Sequence, residues 1–435
     1  MSCIANTSYL FLPFSYQYNI FSSVIDICKQ DNSWELAQDE IKYMLKFVAD
    51  KIDCNNLKGC QCFHFRLTQE GRNNYQLHSP EDWFSTESHI YREHETCFKF
   101  QVLSVELYLF STCVGILAFK VHFCDDDPLW ISNALYHLKK VSREQIHINT
   151  RQFTMQDCSK NLVEGLQTIK NLSFFYYANP STERANVLTY IEVGCKDDYT
   201  EELFYLRRCY SEGFLYSANK EDEDEIYCPS KDIVWGLSPE AAVCLACPNR
   251  GRESFIKGTF SKNFNAQYLF MYVLLLHQKY VLYLLLTKIG VGIYNNLETL
   301  EEYRHQLYEF ETDFVFSCVT EVPQYQILYD RMANAFALKK MFEDVREPLV
   351  SLRDVRRETA EKDQKKRDDS VNRALLILSI LSFFSALVDS FDFVHSFFGW
   401  FFNETVIRLI QVACIASIFV MLIYVFMNLL RSKKQ

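Results

Sequence analysis

The sequence predicts an α+β cytosolic domain followed by a long stalk helix and a two-helix transmembrane hairpin. Two apolar runs of about twenty residues, 374–393 and 409–430, lie close together near the end of the chain. Each is long enough to cross a hydrocarbon core of about 30 Å as a helix. A glycine-free stretch leads from residue 323 into the first run, and the N-terminal third mixes strand-like and helix-like patterns.

These patterns divide the chain into six segments. The predicted boundaries are residues 1–322 for an α/β sensor domain, 323–371 for the stalk helix, 372–393 for the first span, 394–406 for a short outer loop, 407–430 for the second span and 431–435 for a basic tail.

The N-terminal domain begins with an apolar, aromatic stretch that lacks the basic region of a signal peptide. Residues 97–110 and 116–123 are rich in β-branched and aromatic side chains and flank a turn, which predicts a β-hairpin. Residues 131–141 have helical apolar spacing, whereas 172–178 and 187–193 are predicted strands. The acidic run at 221–225 predicts a solvated loop.

The segment 268–288 is apolar enough to be mistaken for a third span. His277, Gln278 and Lys279 interrupt its middle, which is the depth of a membrane where polar and charged groups cost most. The segment is therefore predicted to be a buried helix of the cytosolic domain.

The stalk is predicted to be one helix from about residue 323 to 393, with a kink at Pro348. Apolar residues recur every three or four positions from Leu328 to Val355. This stripe indicates self-association, as in a coiled coil. Alternatively, it packs within its own subunit, for example against the 268–288 helix.

The distribution of charge predicts the orientation of the hairpin. Basic residues lie at 365–367, before the first span, and at 431–434, after the second, whereas residues 389–404 contain none. The positive-inside rule then places both termini in the cytoplasm of a multi-pass protein of the inner (plasma) membrane. In the cytosol the cysteines are expected to be reduced, without a disulfide framework.

The net charge of −10 argues against nucleic acid as a partner. No catalytic signature stands out, so neither an enzymatic activity nor a cofactor is expected. Polar and small residues of the first span share one helical face, which predicts a pore lining in a ring of subunits. The predicted lining comprises Asn372, Leu376, Ser379, Ser382, Ala386, Asp389 and Asp392. A hairpin that serves only as an anchor for the cytosolic domain is the simpler alternative.

In layout, residues 323–435 resemble the CorA-like superfamily of divalent-cation channels. The resemblance implies a homopentamer in the bilayer whose cytosolic domains sense a ligand and gate the pore. Family transporters carry Gly-Met-Asn after the first span, but residues 390–396 read SFDFVHS here.

CorA-like proteins that lack the Gly-Met-Asn motif resemble antiviral effectors associated with type III CRISPR systems. That resemblance implies gating by a cytosolic nucleotide second messenger, such as a conjugate of S-adenosylmethionine with AMP. The alternative is a divalent metal cation transporter, of the Mg²⁺ or Co²⁺ type, with altered selectivity.

Two basic groups are candidate contacts for such a ligand: the pair Arg207 and Arg208, and the turn with Arg250 and Arg252. Two cysteine clusters suggest zinc but lack the usual paired spacing, so they are predicted to be ordinary thiols, and no metal site is expected. They comprise Cys54, Cys60, Cys62 and His64 in one cluster, and Cys228, Cys244 and Cys247 in the other.

Overall fold

The structure is a computed structural model. It describes residues 3–17, 20–37, 41–52, 60–125, 127–164, 173–174, 184–194, 196–217, 225–248, 251–290, 297–398, 403, 405–406, 408–410, 412–413, 415–417 and 419–420. The chain divides into two compact units, Met1–Leu352 and Arg353–Gln435. The first unit therefore extends past the predicted domain boundary at residue 322.

The first unit is built on one mixed β-sheet, which has 13 strands among the described residues. In chain order these are β1 Cys3–Ser15, β2 Trp34–Leu36, β3 Cys62–Leu67, β4 Trp83–Tyr91, β5 His94–Phe110, β6 Val114–Phe123, β7 Gln145–Ile148, β8 Arg151–Thr154, β9 Ser173–Phe174, β10 Asn186–Val193, β11 Ile226–Ser230, β12 Ile233–Leu237 and β13 Ala241–Ala246.

The main path of the sheet runs β11-β12-β13-β10-β1-β6-β5-β4-β7-β8. Strand β1 lies in the interior of the sheet, antiparallel to both β6 and β10. Strands β10 and β13 form a parallel pair, with Glu192 opposite Ala246 near their carboxyl ends. The predicted β-hairpin is confirmed as β5 and β6, which pair from Phe100 and Phe123 to Leu109 and Gly115.

Ten α-helices of six or more residues are described before residue 399, and the last belongs to both units; the π-helices Phe255–Phe260 and Phe264–Tyr268 flank a short α-helical turn, Ser261–Asn263. They are α1 Phe21–Gln30, α2 Lys46–Ile52, α3 Gln69–Asn74, α4 Pro128–Leu138, α5 Met155–Glu164, α6 Thr200–Arg208, α7 Leu269–Gly290, α8 Leu297–Phe314, α9 Pro323–Ala335 and α10 Leu338–Phe398. The helix predicted at 131–141 and the strand predicted at 187–193 are confirmed as α4 and β10. Of the predicted strand 172–178 only Ser173–Phe174 is described, and the acidic run is described only at Glu225.

Helices cover both faces of the sheet, as alternating side chains of β1 show. Leu10, Leu12 and Phe14 join an apolar cluster with residues of α1, α4, α5 and α6. Tyr9 and Phe11 join a second cluster with α7, α9 and the start of α10. Because both faces are buried, residues 9–14 of β1 form a continuous apolar run rather than alternating, as is usual for strands covered on both sides.

Helix α7 is buried in the second cluster, as predicted for the 268–288 segment. The apolar helical region Phe255–Ile289 has a mean hydropathy of 1.6, yet 83% of its most apolar window is buried inside the protein. Its polar side chains have partners there. Gln278 donates to the Phe314 carbonyl at 2.6 Å, and the Lys279 ammonium donates to the Pro239 carbonyl at 2.9 Å.

The predicted continuous helix from residue 323 is wrong, because the chain breaks between α9 and α10. Phe336 caps α9, and Ala337 adopts a positive φ of 54° before α10 begins at Leu338. A left-handed residue ends an α-helix, so no single helix joins residue 323 to the apolar segment of α10. Pro348 does lie within α10, as predicted.

The apolar stripe of the stalk packs within its own chain. Leu328, Met332, Val345 and Leu349 are all at most 1% exposed and belong to the cluster around α7. The intramolecular alternative is therefore correct for these positions. A coiled coil between subunits is not needed to bury this part of the stripe.

In the second unit, α10 continues without interruption to Phe398. Its segment Glu361–Ala386 has a mean hydropathy of 1.3, and none of its most apolar window is buried within the chain. Leu378 and Leu381 are about 60% exposed. A shorter apolar helix follows at Arg408–Ser417.

Candidate functional site

The unburied part of α10 carries all the predicted pore-lining residues. Asn372, Ser379, Ser382, Ala386, Asp389 and Asp392 are exposed, and Leu376 is partly exposed. The Ser379 hydroxyl donates to the Leu375 carbonyl of its own helix at 2.8 Å. Such back-bonding satisfies a serine in an apolar helix without a partner helix, so this contact serves an anchor as well as a pore.

The apolar face of this segment is too large for a water-exposed surface. Leu375, Ile377, Leu378 and Leu381 are each more than half exposed. Contiguous exposed apolar patches of this kind mark a membrane or protein interface. Length and composition make Glu361–Ala386 long and apolar enough to cross a bilayer.

The first unit contains a cavity of about 250 Å³ at the carboxyl ends of the parallel strands β10 and β13. Loops that leave parallel strands converge there, which is where ligands bind in open α/β sheets. The loop after β10 forms one wall and leads into α6, and the β11–β12 turn forms the other. The polar lining includes Lys196, Asp198, Thr200, Lys231 and Asp232.

The wall before α6 is held in place by its own hydrogen bonds. The Tyr199 hydroxyl donates to the Gly194 carbonyl at 2.7 Å and accepts from the Lys196 backbone N–H at 2.9 Å. Asp198 accepts from the Thr200 backbone N–H at 2.8 Å. Hydrogen bonds from Thr200 lower the pKa of Asp198, so this carboxylate is charged at neutral pH.

Asp232 gives the opposite wall a buried carboxylate with spare hydrogen-bonding capacity. One of its oxygens accepts from Arg252 at 3.2 Å. The other, Oδ2, is buried and has no hydrogen-bond partner among the described residues. Since a buried carboxylate oxygen is costly to leave unpaired, this atom is suited to accept from a hydroxyl or amine of a ligand.

The four arginines predicted as ligand contacts fall into different environments. Arg207 is fully buried and pairs with Glu225 at 2.7 Å, and Arg208 reaches the same carboxylate at 3.0 Å. Arg252 adjoins the cavity through Asp232, whereas Arg250 lies outside the described residues.

The two cysteine clusters do not converge on metal-binding geometry in the described residues. His64 is hydrogen-bonded to Glu106 at 2.7 Å, and Cys54 lies outside the description. Cys244 is a buried free thiol, and burial raises its pKa well above the ordinary value. Cys247, however, is disulfide-bonded, which contradicts the prediction that all cysteines are reduced.

A cluster that sequence reasoning missed lies elsewhere in the sheet domain. His89, His137 and Glu144 bring their ligand atoms within 4.8 Å of one another. Their separation along the chain gives no motif, and only the pairing of β4 with β7 and the end of α4 brings them together.

No protein-family model, curated protein or solved structure shows a significant match to this chain.

Proposed function

We propose that this protein is a ligand-gated membrane pore of CorA-like architecture, opened by a cytosolic nucleotide second messenger. The observation that carries the proposal is α10. One helix contributes Leu338, Val345 and Leu349 to the core of the first unit and then presents an unburied apolar segment. A ligand that shifts the start of α10 therefore acts on the same helix that carries the predicted pore lining.

The proposed ligand site is the cavity between the ends of β10 and β13. Lys196 and Lys231 supply cations for phosphate groups, and the Asp232 carboxylate supplies an acceptor for ribose hydroxyls or an exocyclic amine. The volume of about 250 Å³ lies just below the common range for small-molecule sites, roughly 300–1,000 Å³. It suits one nucleoside unit, with the remainder of a larger conjugate extending outward.

The proposed pore is a ring of α10 segments from several subunits, five if the resemblance holds. In such a ring Leu376, Ser379, Ser382 and Asp389 face an axial water-filled path, and the other leucines face lipid. Rings of carboxylates favour cations at a pore mouth. By resemblance, the biological role is an antiviral effector associated with type III CRISPR systems, in which opening damages the membrane of an infected cell.

The test is ion flux through the purified full chain in liposomes, with a panel of nucleotides that includes the conjugate of S-adenosylmethionine with AMP. Flux that requires a nucleotide supports the proposal. Asp389→Leu should then reduce cation flux, while Asp369→Leu, an exposed acidic residue earlier on α10, serves as the matched control. Asp232→Asn and Lys231→Ala should weaken nucleotide binding, measured by calorimetry.

The competing functions predict different results in the same assay. Flux without nucleotide that falls as Mg²⁺ rises indicates a divalent metal transporter. If no ion passes under any condition and Asp389→Leu behaves as the parent does, the helix is an anchor and the pore proposal is rejected. The hydrogen bond of Ser379 to its own backbone is compatible with an anchor as well as with a pore.

A further inference from the structure

Three side chains from separate elements converge at the end of α4. His89 lies on β4, His137 in the last turn of α4, and Glu144 just before β7. His89 Nε2 is 2.7 Å from Glu144 Oε1, and His137 Nδ1 is 3.5 Å from Glu144 Oε2. The two imidazole rings stack with their centroids 3.5 Å apart.

Strand pairing, a backbone hydrogen bond and aromatic packing hold these side chains in place. Strand β4 pairs with β7 at Thr86 and Ile146, which brings Glu144 beside Glu87. The Glu87 backbone N–H donates to Glu144 Oε1 at 3.3 Å. Phe98 on β5 stacks against both histidine rings, at centroid distances of 6.2 and 5.7 Å. Ligands fixed by packing and by backbone hydrogen bonds are what a preorganised site requires.

The Glu144 carboxylate lies at the centre of the cluster. Its Oε1 is within hydrogen-bond distance of His89 Nε2 and accepts from the Glu87 backbone N–H, while Oε2 faces His137 Nδ1. A neutral imidazole and an ionised carboxylate are the forms that bind metals.

We propose that His89 Nε2, His137 Nδ1 and the Glu144 carboxylate bind one divalent transition-metal ion of the Zn²⁺ class. Two imidazoles and one carboxylate form a known three-ligand zinc set, which leaves a further position for water or another ligand. Mg²⁺ and Ca²⁺ prefer oxygen ligands throughout, so the two nitrogens disfavour them. The side chains of His89 and His137 are 20% and 17% exposed, so the site is reachable from solvent.

Metal binding requires a small local movement, and the ring proton of each histidine must move from the coordinating nitrogen to the other ring nitrogen. With metal–ligand distances of about 2.0–2.1 Å, tetrahedral geometry separates two ligand atoms by roughly 3.3 Å. His89 Nε2 and Glu144 Oε1 must therefore move apart from 2.7 Å, which a rotation of the Glu144 side chain accomplishes. Without metal, the same three groups form a closed hydrogen-bonded cluster, and this is the competing interpretation.

The test uses the full chain purified in detergent and stripped of metal with a chelator. It is titrated with Co²⁺, and with Zn²⁺ against a competing chromophoric chelator. The parent should bind one equivalent of metal at this site. Glu144→Gln should bind metal there with at least ~100-fold weaker affinity. His147→Gln, a histidine on neighbouring β7, is the matched control and should retain the equivalent. Affinity should fall as the pH is lowered, because protons compete for the imidazoles.

The absorption spectrum of the Co²⁺ form separates this site from the many cysteines. Nitrogen and oxygen ligation gives visible d–d bands without the near-ultraviolet band of thiolate ligation. The proposal is overturned if Glu144→Gln binds as the parent does, if the bound Co²⁺ shows thiolate ligation, or if the parent binds no more metal than His89→Gln. His89→Gln also replaces Glu144→Gln if the latter does not fold, as judged by circular dichroism.

Discussion

Two apolar helices of this protein have opposite environments. The region ending in α7 has the higher mean hydropathy, 1.6, and is largely buried against the sheet, whereas the α10 segment has 1.3 and is unburied. Hydropathy alone therefore does not show which of the two helices is buried in its own chain. The difference lies in the surroundings: the sheet provides partners for the apolar and polar groups of α7, whereas none of the most apolar window of the α10 segment is buried.

The largest expected effect comes from placing a carboxylate in each helix. Leu274 in α7 is fully buried, so Leu274→Asp buries an unpaired charge and should abolish folding of the sheet domain. Leu378→Asp should leave that domain's unfolding temperature unchanged but weaken membrane retention, by about 2.5–3.5 kcal/mol if the position lies at mid-membrane. Circular dichroism melts and carbonate extraction of membranes measure the two outcomes. Equal destabilisation by both variants would contradict the comparison.

The next effect contrasts ion pairs of the two regions. Glu106, buried in the sheet, contacts His64 at 2.7 Å and Arg66 at 3.1 Å. Burial opposes its ionisation, but hydrogen bonding and the charge of His64 outweigh this and lower its pKa to about 2. Glu106→Gln should lower the free energy of unfolding by about 3–5 kcal/mol. Glu358→Gln, which breaks an exposed 3.9 Å pair with Lys362 on α10, should cause no measurable change.

The dependence of stability on acid pH provides a second test of the Glu106 prediction. The pKa of Glu106 is depressed in the folded state, so its stabilisation is complete above the unfolded value, near 4.3, and is lost as the pH falls toward 2. The stability gap between the parent and Glu106→Gln should therefore narrow over this range. Chemical denaturation at pH 6 and pH 3 measures the gap, and a constant gap would argue against an ionised Glu106.

A smaller effect on stability is expected from Lys279, the buried cation of α7. Burial lowers the pKa of Lys279 to about 8, while the nearby Glu240 opposes the shift. In the unfolded chain its pKa is about 10.4, so between these values the unfolded state holds more protons and stability rises with pH. Relative to Lys279→Met, the parent should gain up to about 3 kcal/mol from pH 8 to pH 10.4. The difference in stability between the two proteins removes the contribution of the tyrosines and cysteines that titrate in both. If this difference does not change with pH, the assignment to Lys279 is refuted.

The smallest effect tests whether a more apolar side chain in each helix stabilises the protein against unfolding. Gln278→Leu makes α7 more apolar but removes the donor to the Phe314 carbonyl and to the Tyr329 hydroxyl, so stability should fall by about 1–3 kcal/mol. Ser382→Leu makes α10 more apolar and should leave the stability of the sheet domain unchanged. Urea denaturation measures both. A stabilising Gln278→Leu would mean that α7 lacks the polar partners described.

Sequence patterns predicted the elements whose signals are local. The β5–β6 hairpin, α4 and β10 follow from alternation or helical spacing within each segment, and the burial of α7 follows from the polar residues at its centre. Short-range patterns could not predict the break at Ala337, because residues 323–355 keep a helical apolar period across it. At Ala337, the packing of the buried stripe outweighs the local preference for a continuous helix.

The candidate sites were less predictable because their residues meet only in the folded sheet. Lys196 and Asp232 come together because β10 pairs in parallel with β13. A long crossover joins these two strands along the chain. His89, His137 and Glu144 belong to three elements and carry no shared motif. The predicted pore lining and its assembly stay predictions, since they concern contacts between chains.

The position of β1 in the sheet has a consequence for biosynthesis. Its partners β6 and β10 end at Phe123 and Val193, so β1 is synthesised well over a hundred residues before both of its edges can pair. Such non-local pairing slows folding and leaves an apolar strand open to misassociation during that interval. A nascent chain stalled before β10 should therefore depend on chaperones, and a tag fused ahead of β1 should disturb folding of the sheet.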